Sequence, residues 1–551
     1  MKSKAELLPQ SFLIFASFVT AIALFFFLTS GIPLIQLGLL PELGEGKKPY
    51  LKVARHAALI LAVVLVLLRW KAPLIFNELW LVRVSRKIIQ LPLGTSVTVL
   101  FLIYGLTLSS VSLFRHLALE TRAFDLGIFA QAVWTTLHGS FLYSSLKEGI
   151  CLLGDHVSPI LAFLAVPYAV WPDPRTLLIL QAFAAAASFF PLAILVQEQF
   201  SDKKTALVFC LMYFFYLPTR AAVHEDFHPE VLVEPMMFWA FLWLKRGRYK
   251  LFLLALAVIL GAKENMAGIV CAFGLYAAVF NKKRVLGAVI MFFSIGYLLF
   301  CTRWLVPQLS GQPYFYSGFY AHLAEGGGAG FLGMLSDSER WEYLLKIYGP
   351  FLFLPLWNPP TLLLTFPVLF QNLLSRNGVA RSLNYHYTTG LTPFIFISTV
   401  MALSHATQRF SVLRKYGHVV LAMLLAVALL RSGAPEYFYG WDSAKRITPR
   451  TILIRQKMLE LPPQAIVITH NNLIPQTANR RGVYQFDYNA LQTKTQSALA
   501  READIVVLDE KIWESGTVPL AEEMKTFVAA GYRVDFESDH FYILKKELPR
   551  G

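Results

Sequence analysis

The chain has 551 residues, 56% of them hydrophobic and 15% charged, with a mean hydropathy of +0.52. Apolar runs of about 20 residues, enough to cross a hydrocarbon core of roughly 30 Å, recur from Ser11 to Arg431 and exclude an ordinary soluble globular chain. The formal charge of +15 lies in short Lys and Arg clusters between these runs, so it reports membrane topology and argues against nucleic acid as a partner.

In chain order the candidate spans are 11–30, 53–69, 95–115, 176–197, 205–221, 231–244, 250–262, 266–280, 285–305, 342–357, 360–375, 388–403 and 417–431, about thirteen in all. The first follows Lys2 and Lys4 without a small-residue cleavage site and reads as a retained helix. The basic clusters fall in alternate loops when the N-terminus is cytoplasmic: Arg83, Arg86 and Lys87; Lys203 and Lys204; Lys245, Arg246, Arg248 and Lys250; Lys282, Lys283 and Arg284; Arg409, Arg414 and Lys415. Counting the apolar but short, proline-containing segment 157–171 as a full crossing would put the later clusters outside, so it reads as a re-entrant or juxtamembrane helix. Residues 117–175 then form one long external loop. Within it Leu126, Phe129, Val133 and Leu137 give an amphipathic helix suited to lying on the membrane surface.

A second external loop, 306–340, is aromatic in its first half (PYFYSGFYAH) and is broken by Gly326, Gly327, Gly328 and Gly330, which reads as a lid or as disorder. Beyond residue 431 the composition changes. AIVIT (465–469) and DIVVL (504–508) read as buried strands, with a helix from Leu520 to Ala530 and a closing pair YRVDF and FYILK. The chain thus divides into an N-terminal two-helix extension (1–92), a membrane core (93–431) and an extracytoplasmic α/β domain (432–551). The four cysteines, Cys151, Cys210, Cys271 and Cys301, are scattered, against a disulfide framework or a thiolate metal site.

Ionisable residues near bilayer depth are costly, and nearly all the acid and histidine clusters fall on the external side of this topology. Asp125 opens the segment FDLGIFAQAVW, where helix capping and catalysis explain it equally well. Asp155 and His156 precede Ser158-Pro159, and capping is the plainer role for that aspartate. HEDFHPE (224–230) is the densest cluster: its three carboxylates and two imidazoles suit a divalent cation or acid–base chemistry, whereas a solvated loop opening the next helix is the bland alternative. Lys263-Glu264 in AKEN is either a self-neutralising pair or a phosphate contact. His386 lies in NYHY.

At these motifs the chain resembles a prokaryotic family of predicted membrane proteins of unknown function that is grouped with the GT-C glycosyltransferases. FDLGIFAQAVW, GDHVSPI, LLILQA, DFHPE, AKEN, FPVLFQNLLSRNG and NYHY carry the resemblance, over roughly residues 95–545. It implies a polytopic α-helical, GT-C-like fold with a long first external loop, in the plasma (inner) membrane. It also implies transfer of a sugar from a polyprenyl-phosphate-type lipid donor to an envelope glycan, lipid or protein acceptor on the external face. By position, Asp125 would be the catalytic base, with Asp226 a second catalytic carboxylate. Gln131, Trp134, Asp155, His156, Arg220, Lys263, Glu264 and His386 would bind substrate, Lys263 or Arg220 stabilising the leaving phosphate; His228 and Glu230, with Asp226, would hold a divalent cation. The alternatives are a transporter or lipid flippase, or a non-catalytic subunit of envelope-glycan assembly. Absence of an internal repeat and the one-sided polar clusters favour an enzyme.

Overall fold

The computed structural model describes residues 90–325, 337–431, 439–486, 503–512 and 520–547. The two N-terminal spans and the glycines 326–328 and 330 lie outside the described residues. The described chain is mainly helical, with one small two-stranded and one five-stranded sheet.

Helix α1 (Leu93–Leu117) begins after Pro92, whose ring fits a helix start, and buries Val97, Tyr104, Leu108 and Val111 while Val99, Leu102, Ile103 and Leu106 stay exposed. A helix of this length with one apolar face buried and another exposed suits a bilayer. The following loop holds a kink at Ala123–Gly127, helix α2 (Ile128–Leu137), a hairpin of β1 (Tyr143–Ser144) with β2 (Ile150–Cys151), and helix α3 (Ile160–Val170). Helix α4 (Arg175–Phe200) then returns and packs along α1. A Cβ on Gly105 would meet the Phe183 ring at 2.7 Å, so glycine is what lets these two helices approach.

Among the described residues four helices are long and apolar enough to cross a membrane: α1, α4, Arg284–Ser310 and Ser411–Ala428. A fifth candidate, Lys203–Phe215 with Leu217–His224, is bent by 44° where Pro218 opens its second half. Other expected spans are shorter or broken. Tyr249–Leu260 and Met266–Val279 have 12 and 14 residues, about 18–21 Å of helix. Residues 342–357 form the end of one helix and two 3₁₀ turns around Pro350 and Pro355. Among the described residues, four or five of the thirteen candidate segments are long and apolar enough to cross on their own.

The C-terminal sheet has the order β4-β3-β5-β7-β6, with β3 (Val467–Thr469) parallel to β4 (Val483–Gln485) and β5 (Ile505–Asp509), and β7 (Phe541–Lys546) antiparallel to β5 and β6 (Tyr532–Ser538). All five residues of β5 are buried, as a central strand covered on both faces requires. The strands fall where the apolar runs place them.

This sheet and the segment before β4 pack on the α1–α4 loop. Leu126, Phe129 and Val133 of α2 share an apolar core with Ile474, Ala478 and Val483. The expected surface-lying amphipathic helix is thus covered: Ile128 to Val133 are all buried, and only its end at Leu137 is exposed. It is α3, with Phe163, Val166 and Val170 76%, 72% and 86% exposed, that presents a bare apolar face.

Candidate active site

The HEDFHPE segment, the kink before α2, AKEN and NYHY meet around a cavity of about 530 Å³. Asp125, His156, His228, Glu230, Lys263, Glu264 and His386 all line it. Each is placed by local backbone chemistry. The kink holds Asp125 at φ 76°, ψ −95°, a conformation that costs on the order of 1–3 kcal/mol, and caps no helix with its side chain. The kink is pinned by Ala123 N donating to Asn471 Oδ1 (2.8 Å) and Gly127 N donating to Arg122 O (3.1 Å). A Cβ on Gly127 would sit 2.9 Å from Ile474, so the C-terminal domain presses directly on this turn.

The Asp125 carboxylate is 39% exposed into the cavity, with Oδ1 3.5 Å from His228 Nε2. Burial favours its neutral form, but His228, then His386 and Lys263, bring it down to about 2. His228 moves the other way: burial disfavours the imidazolium, and Asp125, Glu225 and Glu230 outweigh it, raising it to about 9. The backbone N–H of His228 donates to Gln181 Oε1 (2.6 Å), and its ring stacks on His386 at 3.7 Å between centroids. Glu225 in turn accepts from the backbone N–H of His386 (2.8 Å) and pairs with its Nδ1 (3.0 Å).

Lys263 and Glu264 are adjacent in sequence but turn to different partners. Lys263 Nζ lies 2.9 Å from Glu230 Oε1; burial works against the ammonium, and Glu230 and Glu264 hold it above its usual range. Glu264 accepts from Val157 N (2.8 Å), His156 Nδ1 (3.1 Å) and the Tyr314 hydroxyl (2.6 Å); burial favours its neutral form, but His156, then Lys263 and Tyr314, bring it down to about 2. Tyr316 stacks on His156 at 4.3 Å. The aromatic segment 313–322 therefore roofs the cavity, with Tyr314, Tyr316, Phe319 and Tyr320 in its lining.

Five expected site residues lie elsewhere. Asp226, at φ 133°, is buried and turned to Arg115 Nη1 (3.3 Å) and Arg122 N (3.0 Å), outside the cavity. Gln131 is buried and joins Ser144, Ser145 and the carbonyls of Arg480 and Arg481, so it fastens the C-terminal domain. Trp134 stacks on His138. Asp155 pairs with Lys147 at 2.9 Å, and Arg220 is buried away from the cavity. Cavity residues not singled out from sequence are Tyr316, Tyr387, Asn265, Gln371 and Asn372. The signal was present, since the last four lie in AKEN, FPVLFQNLLSRNG and NYHY, but uncharged amides and phenols carry no burial penalty large enough to mark them.

The carboxylate and imidazoles that can hold a metal are Glu225, His228 and His386, whose ligand atoms lie within 4.8 Å of one another. Both ring nitrogens of His228 are buried, Nε2 facing Asp125 at 3.5 Å, and the imidazole would join a divalent-cation donor set only on giving up its proton. The expected set of Asp226, His228 and Glu230 is not brought together: Asp226 faces Arg115, and Glu230 faces Lys263.

A polytopic helical membrane protein with a charged, aromatic-roofed cavity between its loops is what this fold and site define. The chain belongs to the family of predicted membrane proteins DUF2079, which matches residues 115–540. Its fold is similar to that of ArnT from Cupriavidus metallidurans, a GT-C glycosyltransferase. To the crystal structure of ArnT bound to undecaprenyl phosphate the TM-score is 0.51 at 11% identity, covering 82% of this chain and 98% of ArnT. To the apo state the TM-score is 0.50 at 13% identity, with the same coverage. Among curated proteins none matches the sequence.

Proposed function

We propose that the protein is a membrane glycosyltransferase that moves a sugar from a polyprenyl-phosphate-type lipid donor to an envelope acceptor. The observation that carries this reading is the cavity in which Asp125, on a strained turn, faces the same space as Lys263, His228 and His386, with Glu225 held against His386 behind them. The GT-C-like fold, and the undecaprenyl phosphate bound by ArnT, support a lipid-linked donor.

In this mechanism an acceptor hydroxyl enters beside Asp125, its oxygen bonds to the anomeric carbon, and the bond from that carbon to the phosphate oxygen breaks. The proton passes to the Asp125 carboxylate. Displacing His228 from Asp125 as the acceptor enters raises the carboxylate's proton affinity at the moment it is needed. Lys263 meets the charge on the leaving lipid phosphate, a role for which Glu230 keeps it protonated and aimed. A divalent cation held by Glu225, His228 and His386 would add Lewis-acid stabilisation of that phosphate. Tyr314 and Tyr316 close over the sugar and exclude water.

The same proposal places the N-terminus in the cytoplasm, the cavity and the 432–551 domain outside the plasma membrane, and the shorter apolar helices in the bilayer beside the long ones, toward the thirteen segments counted from sequence. The test is incubation of purified protein with a panel of polyprenyl-phosphate sugars. Sugar release abolished by Asp125→Asn supports transfer; no turnover of any donor, or undiminished turnover by the variant, sinks this reading in favour of transport or assembly.

A further inference from the structure

A second cavity, of about 190 Å³, lies at the seam between the C-terminal domain and the membrane helices. His116 at the end of α1, residues 172–174 just before α4, the helix Pro449–Leu459 and the segment 475–480 wall it. Its charged lining is Asp173, Arg455 and Arg480. Asp173 is already taken: Arg175 grips both carboxylate oxygens (2.8 and 2.7 Å), and the Arg175 backbone N–H adds a third bond (2.9 Å). Arg455 comes no closer to Asp173 than 3.7 Å, and its buried Nε has no hydrogen-bond partner.

Arg480 is the more unusual group. It is 4% exposed and donates to the carbonyls of Thr477 (2.9 Å), Pro462 (3.1 Å) and Ala465 (3.0 Å), yet it meets no carboxylate among the described residues. Burial pushes its guanidinium down to about 10. Carbonyl dipoles offset part of the expense of a buried cation, but a full counter-charge offsets far more. Two guanidinium groups therefore face one small space whose only carboxylate is neutralised by a third.

The position of this space narrows the ligand. Arg175 opens α4, a long apolar helix, and lies 4.8 Å above the Trp171 ring, while α3 beside it exposes Phe163, Val166 and Val170. An Arg–Trp pair at the end of an apolar span, next to a bare apolar helix, marks the level of lipid headgroups. We propose that the seam is an anion site for a phosphate group, held by Arg455 and Arg480 of the C-terminal segment. The phosphate comes from a lipid headgroup or from solution. The inference stands apart from the glycosyl-transfer reading. It does touch the same scaffold, because the Arg480 carbonyl accepts from Gln131 of α2, the helix that Asp125 precedes.

The test uses the full chain, delipidated in detergent, with thermal unfolding followed against inorganic phosphate. A saturable rise in Tm is expected, with half-saturation weakened at least about tenfold in Arg455→Gln, the loss of one charge-assisted contact, and with that component still present in Lys263→Gln, which removes only the phosphate contact of the larger cavity. Arg455 is part-exposed, so its variant folds; Arg480→Gln is the second variant and is expected to lose the response entirely. Native mass spectrometry from nanodiscs of phosphatidylcholine, with and without phosphatidylglycerol, then separates the sources. Phosphatidylglycerol retained by the parent and lost in Arg455→Gln identifies a headgroup, whereas a phosphate response without lipid retention identifies free phosphate. A response that persists in Arg455→Gln and vanishes in Lys263→Gln belongs to the larger cavity and overturns the proposal, as does no response to either probe.

Discussion

Asp125 and Asp226 both occupy backbone conformations with positive φ, 76° and 133°, and the two turns send their carboxylates to opposite fates. Asp125 faces the cavity and Asp226 the Arg115 guanidinium. Sequence reading found both acids, because charge near a membrane stands out, but neighbours on a turn point in different directions, so it could not tell that Glu225 rather than Asp226 joins His228. Asn tolerates positive φ almost as well as Asp, so Asp125→Asn is expected to keep the fold and lose at least ~100-fold in turnover, measured as sugar release with unfolding temperature as the control. Glu264 offers a pH test. Its carboxyl is brought from 4.5 to about 2 in the folded protein, so the stability it contributes is complete above about pH 4.5 and lost as pH falls toward 2. A Tm series is expected to show Glu264→Gln less stable than the parent at pH 7, by on the order of 3 kcal/mol, with the gap closing as pH falls below about 4.5.

At the scale of elements, composition marked the loop 306–340 as a lid or as disorder; its described aromatic segment 313–322 lines the cavity, and Tyr314 donates to Glu264. Tyr314→Phe removes one hydrogen bond to a carboxylate, about 1.5–3 kcal/mol, and is expected to raise the donor KM about tenfold or more with kcat changed less, read by steady-state kinetics. Helix counting from hydropathy agrees with α1, α4, Arg284–Ser310 and Ser411–Ala428, while the other described candidates are shorter or broken helices. An averaging window registers that residues 342–375 are apolar, but Pro350, Pro355, Pro359 and Pro360 divide that stretch into short helical pieces. Close packing between helices is likewise invisible to hydropathy. A Cβ on Gly287 would collide with the Gly274 carbonyl oxygen of the neighbouring helix, so Gly287→Ala is expected to destabilise this pair by about 1–3 kcal/mol, measured by chemical or thermal unfolding in detergent.

At the scale of the whole molecule, the strands of the five-stranded C-terminal sheet were readable one by one, because buried strands are short continuous apolar runs. Their destination was not. No periodicity announces that Ile474, Ala478 and Val483 complete a core begun by Leu126, Phe129 and Val133, and so an amphipathic helix assigned to the membrane surface is roofed by protein. Truncation after residue 431 is expected to expose that core and leave a chain that aggregates, visible as loss of the monodisperse peak in size-exclusion chromatography. The contact between Ala123 and Asn471 joins positions 348 residues apart. Ribosomal synthesis therefore delivers the Asp125 turn long before the residue that pins it, and the earlier segments wait, inserted but unfinished, until the final stretch of chain arrives. A product that ends before Asn471 has its charged cavity wall without the brace that shapes it, and is expected to lack a formed Asp125 turn.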